Sequence, residues 1–200
     1  LAALERGLAS ATTARERLRL RASRTLALHN GQQRAEAIAE SLALAEELEA
    51  HLDDIDPPEQ AAALLAAAIA APYVREPQRL ADLCERLRGR CGVGSRQVRQ
   101  AYFQASGLIL AWLGLPLRAE PELAAAREIA IEFADHAVTV NTSNQRMRTA
   151  LMRGDFARAD ADIDELMHAL KAGGHGPTFA ADGCGFRALL RLAQGRPVEA

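Results

Sequence analysis

Apolar positions recur along this chain at steps of three and four, the spacing of one face of a helix. Val98, Tyr102, Ala105, Ile109 and Trp112 form one inward stripe, which places Trp112 in the core. Leu123, Ala126, Ala130 and Phe133 form the next, on a helix entered past Pro116 and Pro121. Phe156, Ala159, Ile163, Leu166 and Leu170 make the cleanest. Upstream, a helix from Thr12 to Asn30 carries Leu18, Leu20, Leu26 and Leu28, and after Gly31 its partner shows Ala35, Ile38, Leu42, Ala45 and Leu52. Asp56-Pro57-Pro58-Glu59 reads as a helix start, with aspartate as N-cap, proline in the first turn and glutamate at the third position. The helix that follows, to about Ala71, is almost all alanine, leucine and isoleucine and is expected to be buried on most sides. Leu80, Leu83 and Leu87 mark its partner, and Gly89 to Gly94 predicts a flexible connector with Ser95 as the next N-cap.

These helices follow a beat. Gly114, Gly154 and Gly195 each close an apolar stretch, 40 and 41 residues apart, and each is followed five residues later by alanine, at Ala119, Ala159 and Ala200. Gly31 lies two periods before Gly114, while the intermediate position near Ala71 has no glycine. A self-similar period of this size is the signature of stacked helical hairpins. The predicted fold is therefore all-α: a right-handed superhelix of stacked antiparallel hairpins, about five of them, forming a single domain over residues 1–200 with the last hairpin incomplete. The start at Leu1 and the stop inside a turn predict a piece of a longer protein.

Composition removes several alternatives. Hydrophobic residues are 49% of the chain and aromatics only 4%, so it folds, and its helices must pack on small side chains. A net charge of -2 gives no general attraction to phosphate backbones or anionic lipid, so no nucleic acid or membrane is expected as partner. Arg15, Arg17, Arg19, Arg21 and Arg24 wrap around their helix at steps of two, a solvated surface and not a binding stripe. The longest nearly uncharged stretch, Ala61 to Val74, is too short for a bilayer. Cys84, Cys91 and Cys184 fit neither a disulfide framework nor a zinc knuckle, which favours a cytoplasmic location.

Candidate chemistry is sparse. His168, His175 and Cys184 flank the glycine-rich link at Gly173-Gly174-His175-Gly176-Pro177, and they alone support a metal- or thiol-dependent enzyme. Their spacing matches no ligand pattern. Asp53, Asp54 and Asp56 lack the glycine and terminal glutamate of a calcium loop. We therefore expect no catalytic residue, no metal and no cofactor. Asp160, Asp162 and Asp164 share one helix, where the like charges one turn apart cost a few tenths of a kcal/mol unless neutralised. Gly183 and Gly185 are expected to permit close approach or a bend. The best functional stripe lies between Ala137 and Arg153, where Asn141, Gln145 and Arg148 follow at steps of four and three and Asn144 interrupts the neighbouring apolar face of Val140, Met147 and Leu151. First helices of stacked hairpins line the concave surface, where amides and an arginine suit an extended peptide or an acidic motif. Asn141, Asn144, Gln145 and Arg148 are the predicted ligand-binding residues.

The run Arg146-Met147-Arg148-Thr149-Ala150-Leu151-Met152-Arg153-Gly154-Asp155-Phe156-Ala157-Arg158-Ala159 resembles a tetratricopeptide-type hairpin, as does Ala193-Gln194-Gly195-Arg196-Pro197-Val198-Glu199-Ala200. Both are similar to the long-period repeats of bacterial multidomain regulators, in which a signalling ATPase module is followed by a helical repeat region and a LuxR-type DNA-binding domain or class III nucleotide cyclase domain lies at one end. The period departs from the usual tetratricopeptide length of about 34 residues. The resemblance implies a protein-interaction or sensor scaffold in signal transduction, binding a peptide, a partner domain or a small ligand on its concave face. Its partner would be a neighbouring ATPase or output domain of the same chain. A HEAT-like solenoid without a ligand of its own is the alternative.

Overall fold

The computed structural model describes residues 1–73, 77–172 and 177–196, and among them it is all-helical, with no strand. The helices are α1 (Ala2–Ser10), α2 (Ala14–Asn30), α3 (Arg34–Ala50), α4 (Pro57–Ala67), α5 (Pro77–Cys91), α6 (Arg96–Trp112), α7 (Pro116–Glu132), α8 (His136–Arg153), α9 (Phe156–Ala172) and α10 (Pro177–Ala193). Short 3₁₀ segments at Leu52–Asp54 and Ala68–Tyr73 lead into and out of α4.

Local chemistry sets the starts. Thr13 and Glu16 form a capping box on α2, Ser95 and Asp135 accept from the Val98 and Val138 amides, and Pro57 and Pro116 occupy first turns. Asp56 holds the N-cap position of α4 without a side-chain bond to the helix; its carboxylate meets Arg15 instead, at 3.0 Å.

The three punctuating glycines occupy one environment. Gly114, Gly154 and Gly195 all adopt left-handed backbone, with φ of 72°, 72° and 71°. After each, the next amide donates back across the turn: Leu115 to Leu110 at 2.9 Å, Asp155 to Ala150 at 2.9 Å and Arg196 to Arg191 at 2.8 Å. This is the bonding that stops a helix on a left-handed residue. Five residues on, Ala119 and Ala159 are fully buried, and Ala200 falls outside the described residues. The upstream beat needs one correction. The left-handed residue there is Gln32, φ 60°, and not Gly31, φ -80°. Gln33 donates to Leu28 at 2.9 Å, and the alanine five residues past Gln32 is Ala37, also fully buried.

Packing follows the same order. α2 pairs with α3, α4 with α5, α6 with α7 and α8 with α9, each first helix also meeting the next first helix, from α2 to α4, α6 and α8. Each second helix packs on the following first helix, ending with α9 on α10. Second helices are laced to one another by ion pairs. Glu49 of α3 holds Arg79 and Arg86 of α5 at 2.6 and 3.3 Å, Glu85 of α5 holds Arg118 of α7 at 2.6 Å, and Arg127 of α7 pairs with Glu165 of α9. Exposed pairs contribute about 0–1 kcal/mol each, so they fix register more than they stabilise.

Several expected stripes are rotated. α3 buries Ala37, Ser41, Leu44 and Leu48, while Ala35 and Leu42 are exposed. The reason lies on α2, where Arg17, Arg21 and Arg24 share a face and bind Glu47 and Glu40: Arg17 and Arg21 reach Glu47 at 3.0 Å, and Arg24 reaches Glu40 at 2.6 Å. Trp112 is 42% exposed and Phe133 is likewise half out, so neither belongs to the core. α5 runs on through Gly89, leaving only Gly92 to Gly94 as connector, and Pro121 lies inside α7. α1, which the periodicity did not mark, buries no residue and rests its Gly7 against Leu20. An added Cβ at Gly185 would meet open space, so close approach is not its role, and the Gly183 side of the expectation lies outside the described side chains.

The aspartates of α9 are all neutralised. Asp160 binds Arg191 at 3.3 Å, Asp164 binds Arg187, and the buried Asp162 binds both Arg146 of α8 and Arg158, each at 3.1 Å. Buried apolar side chains form one large cluster across α2 to α6 and separate clusters on α8, α9 and α10. α8 itself buries Thr139, Thr142, Ser143, Arg146 and Thr149. Three of these hydroxyls, on Thr139, Thr142 and Thr149, donate to carbonyls of their own turn, which removes the cost of burying them.

Candidate functional site

Because first helices pack in succession, their shared face borders a half-open cavity of about 500 Å³. α2 supplies Leu26 and His29, α4 supplies Leu65, α6 supplies Gln104, Leu108 and Trp112 at steps of four, and α8 supplies Asn141 and Gln145. The start of α3 adds Arg34 and Ile38, and the 3₁₀ segment after α4 adds Ile69, Pro72 and Tyr73. A second hollow of about 340 Å³ continues it between α2, α4 and α6, sharing Leu26 and Leu65.

The four predicted residues separate. Asn141 is exposed and Gln145 is 7% exposed, and both line the cavity. Asn144 and Arg148 are half-buried and do not line it. The Asn144 side-chain oxygen is buried without a hydrogen-bond partner among the described residues. Arg148 lies between two aromatic rings, its guanidinium 4.6 Å from the Trp112 ring and 5.2 Å from that of Phe186. It thus ties α6, α8 and α10 together by cation–π contacts, and it holds Trp112 at the cavity wall.

Sequence reasoning missed Gln104, Trp112, Arg34 and Tyr73. The forty-residue period does not reveal the first two: Gln104 aligns with Asn144 and Trp112 with Met152, neither of which lines the cavity, while Asn141 and Gln145 align with Ala101 and Ala105. Gln104 is 9% exposed, and its amide, like that of Gln145, has no hydrogen-bond partner among the described residues. The lining carries Arg34 and His29 and no carboxylate. Arg34 donates to the Tyr73 hydroxyl and its guanidinium sits 5.6 Å from that ring.

Elsewhere the titratable groups are occupied with packing. Burial pushes the Cys84 thiol up to about 12 and the Cys91 thiol up to about 11, which keeps both protonated and poorly nucleophilic. Burial likewise raises Glu122 against the pull of Arg88. Tyr102, fully buried, donates to the Cys84 carbonyl at 2.9 Å. His168 and Cys184 are exposed, and His175 lies outside the described residues. Among the described residues no cluster of three His, Cys, Asp or Glu side chains is placed to hold a metal ion. No described helix is long and apolar enough to cross a membrane. No protein-family model matches this chain, and neither a curated protein nor a solved structure matches it.

Proposed function

We propose that this chain is a tetratricopeptide-like, right-handed superhelix of helical hairpins that serves as the interaction or sensor region of a bacterial signalling or transcriptional regulator. Its first helices form the concave face, and a peptide, a partner domain or a small ligand bound there alters its contact with a neighbouring ATPase or output domain. The observation that carries this reading is one cavity walled by α2, α4, α6 and α8, helices from four successive hairpins. A ligand spanning four hairpins feels, and biases, their mutual arrangement, which is how occupancy becomes a mechanical signal. Asn141 and Gln145 would read the ligand's polar groups, with Arg148 holding Trp112 in place beside them. The chain would act in the cytoplasm, without catalysis or cofactor of its own.

A displayed random-peptide library selected on the folded chain tests this reading. Enriched peptides should bind the Asn141→Ala variant at least about tenfold more weakly, while its melting temperature stays within a degree or two. Arg148→Ala, which removes two cation–π contacts, should lower both affinity and melting temperature. Peptides that bind the Asn141→Ala variant as well as the parent would place recognition elsewhere on the molecule.

A further inference from the structure

Resting on that reading, we infer that the cavity between α2, α4, α6 and α8 takes a small amphipathic organic anion, an apolar body of one or two rings bearing a single acidic group. Three observations converge on this chemistry. The volume of about 500 Å³ falls within the range of small-molecule sites, about 300–1,000 Å³. Most of the wall is apolar, and Trp112, Leu108 and Leu65 offer an aromatic and aliphatic bed that an inorganic anion would not use. The polar part of the wall is biased toward negative ligands: Arg34 contributes a guanidinium, and no aspartate or glutamate opposes it.

The amides make the site specific. Gln104 from α6 and Gln145 from α8 are each about nine-tenths buried, and neither side chain bonds to any described residue. The packed stems fix both side chains while the amide groups stay open to the cavity, so a ligand that supplies acceptors meets two positioned donors. Their N–H₂ groups donate to the two oxygens of a carboxylate or sulfonate. Arg34 spends one donor on Tyr73, and a guanidinium has five, so its charge remains available to the same group. Trp112 then covers the apolar body.

The experiment uses the intact chain and two fluorescent probes that share a ring system. 8-Anilinonaphthalene-1-sulfonate carries the acidic group, and N-phenyl-1-naphthylamine lacks it. Trp112 is the only tryptophan, so quenching of its emission reports occupancy of this cavity. The sulfonate should bind at least about tenfold tighter than the neutral probe, the worth of one or more charge-assisted hydrogen bonds. The Gln104→Leu, Gln145→Leu double variant should erase that preference while the neutral probe keeps its affinity, and Arg34→Met on a different helix should reduce it independently. Equal affinity of the two probes, an undiminished preference in both variants, or no quenching by either probe would each overturn the inference. The outcomes stay separable from the peptide selection: groove-dependent peptides with no sulfonate preference leave the scaffold standing and remove only the anion, and the converse result limits the groove to small ligands.

Discussion

Adding one methyl group at three glycines, one at a time, tests the packing with different expected signs. At Gly107, in the middle of α6, a Cβ would lie 2.7 Å from the Leu123 Cγ and Cδ2 and 3.1 Å from the Leu123 backbone nitrogen on α7. The side chain can shift, but the backbone atom cannot without moving the helix. Overpacking of this kind costs about 1–3 kcal/mol, and the close backbone contact puts this site toward the upper end. Alanine recovers up to about 1 kcal/mol of helix propensity, leaving a net loss of about 1–2 kcal/mol for Gly107→Ala. At Gly154 the space around the added atom is open, and the penalty is conformational: φ of 72° costs alanine about 1–2 kcal/mol, partly offset by a less flexible unfolded chain. Gly154→Ala should therefore lose about 1 kcal/mol. Gly89 sits on the exposed side of α5 with nothing near the added atom, so Gly89→Ala should gain about 0.5–1 kcal/mol. Urea unfolding followed by circular dichroism reads all three as midpoint shifts at constant slope. A neutral or stabilising Gly107→Ala would mean that α6 and α7 do not meet at Leu123. A destabilising Gly89→Ala would mean that α5 ends earlier, as the three-glycine run suggests on its own.

Trp112→Ala should cost about 1–2 kcal/mol, well short of the roughly 3–5 kcal/mol of a buried tryptophan, because the ring is 42% exposed and packs on Arg148; a full core penalty in chemical denaturation would contradict that placement. An aromatic disulfide reagent should label the exposed Cys184 rapidly and leave Cys84 and Cys91 unmodified until urea unfolds the chain, and fast labelling of more than one thiol would count against their burial. Burial raises the Asp162 carboxyl to about 6, against the pull of Arg158 and from an unfolded value near 4. Protonation therefore favours the fold: the contribution is complete below about pH 4 and is lost as pH rises through 6, by up to about 3 kcal/mol. Asp162→Asn should thus gain on the parent between pH 4 and 7 in parallel denaturation curves, and a pH-independent difference would show that the two arginines outweigh burial.

The turn spacing was the most legible feature, and its one error is instructive. A left-handed helix stop favours glycine because it lacks a Cβ, so Gly114, Gly154 and Gly195 announce themselves. The same backbone at Gln32 and Ala134 is carried by residues with no such preference, where the surrounding bonds, Gln33 to Leu28 and Asp135 to Ala130, impose the conformation. The buried alanine five residues later is the steadier mark, because it records the close contact that the turn exists to make. Ala37 keeps the register at the very turn where the glycine misplaces it by one.

Side-chain identity misled in the opposite way at the cavity. Trp112 continues an apolar stripe whose first four members are buried, and the fifth is 42% exposed at the cavity wall. Gln145 looks like surface and is not, since its stem packs while its amide faces the cavity. Both errors come from assigning a face from one helix alone. In stacked hairpins the inner face of a first helix is shared between its neighbours, so a residue's environment depends on what stands one period away. Gln104 with Asn144, and Leu108 with Arg148, are such pairs. Within each pair only the α6 member lines the cavity, because α8 presents Asn141 and Gln145 to it instead, so the forty-residue period locates the helices and not the residues that face a ligand.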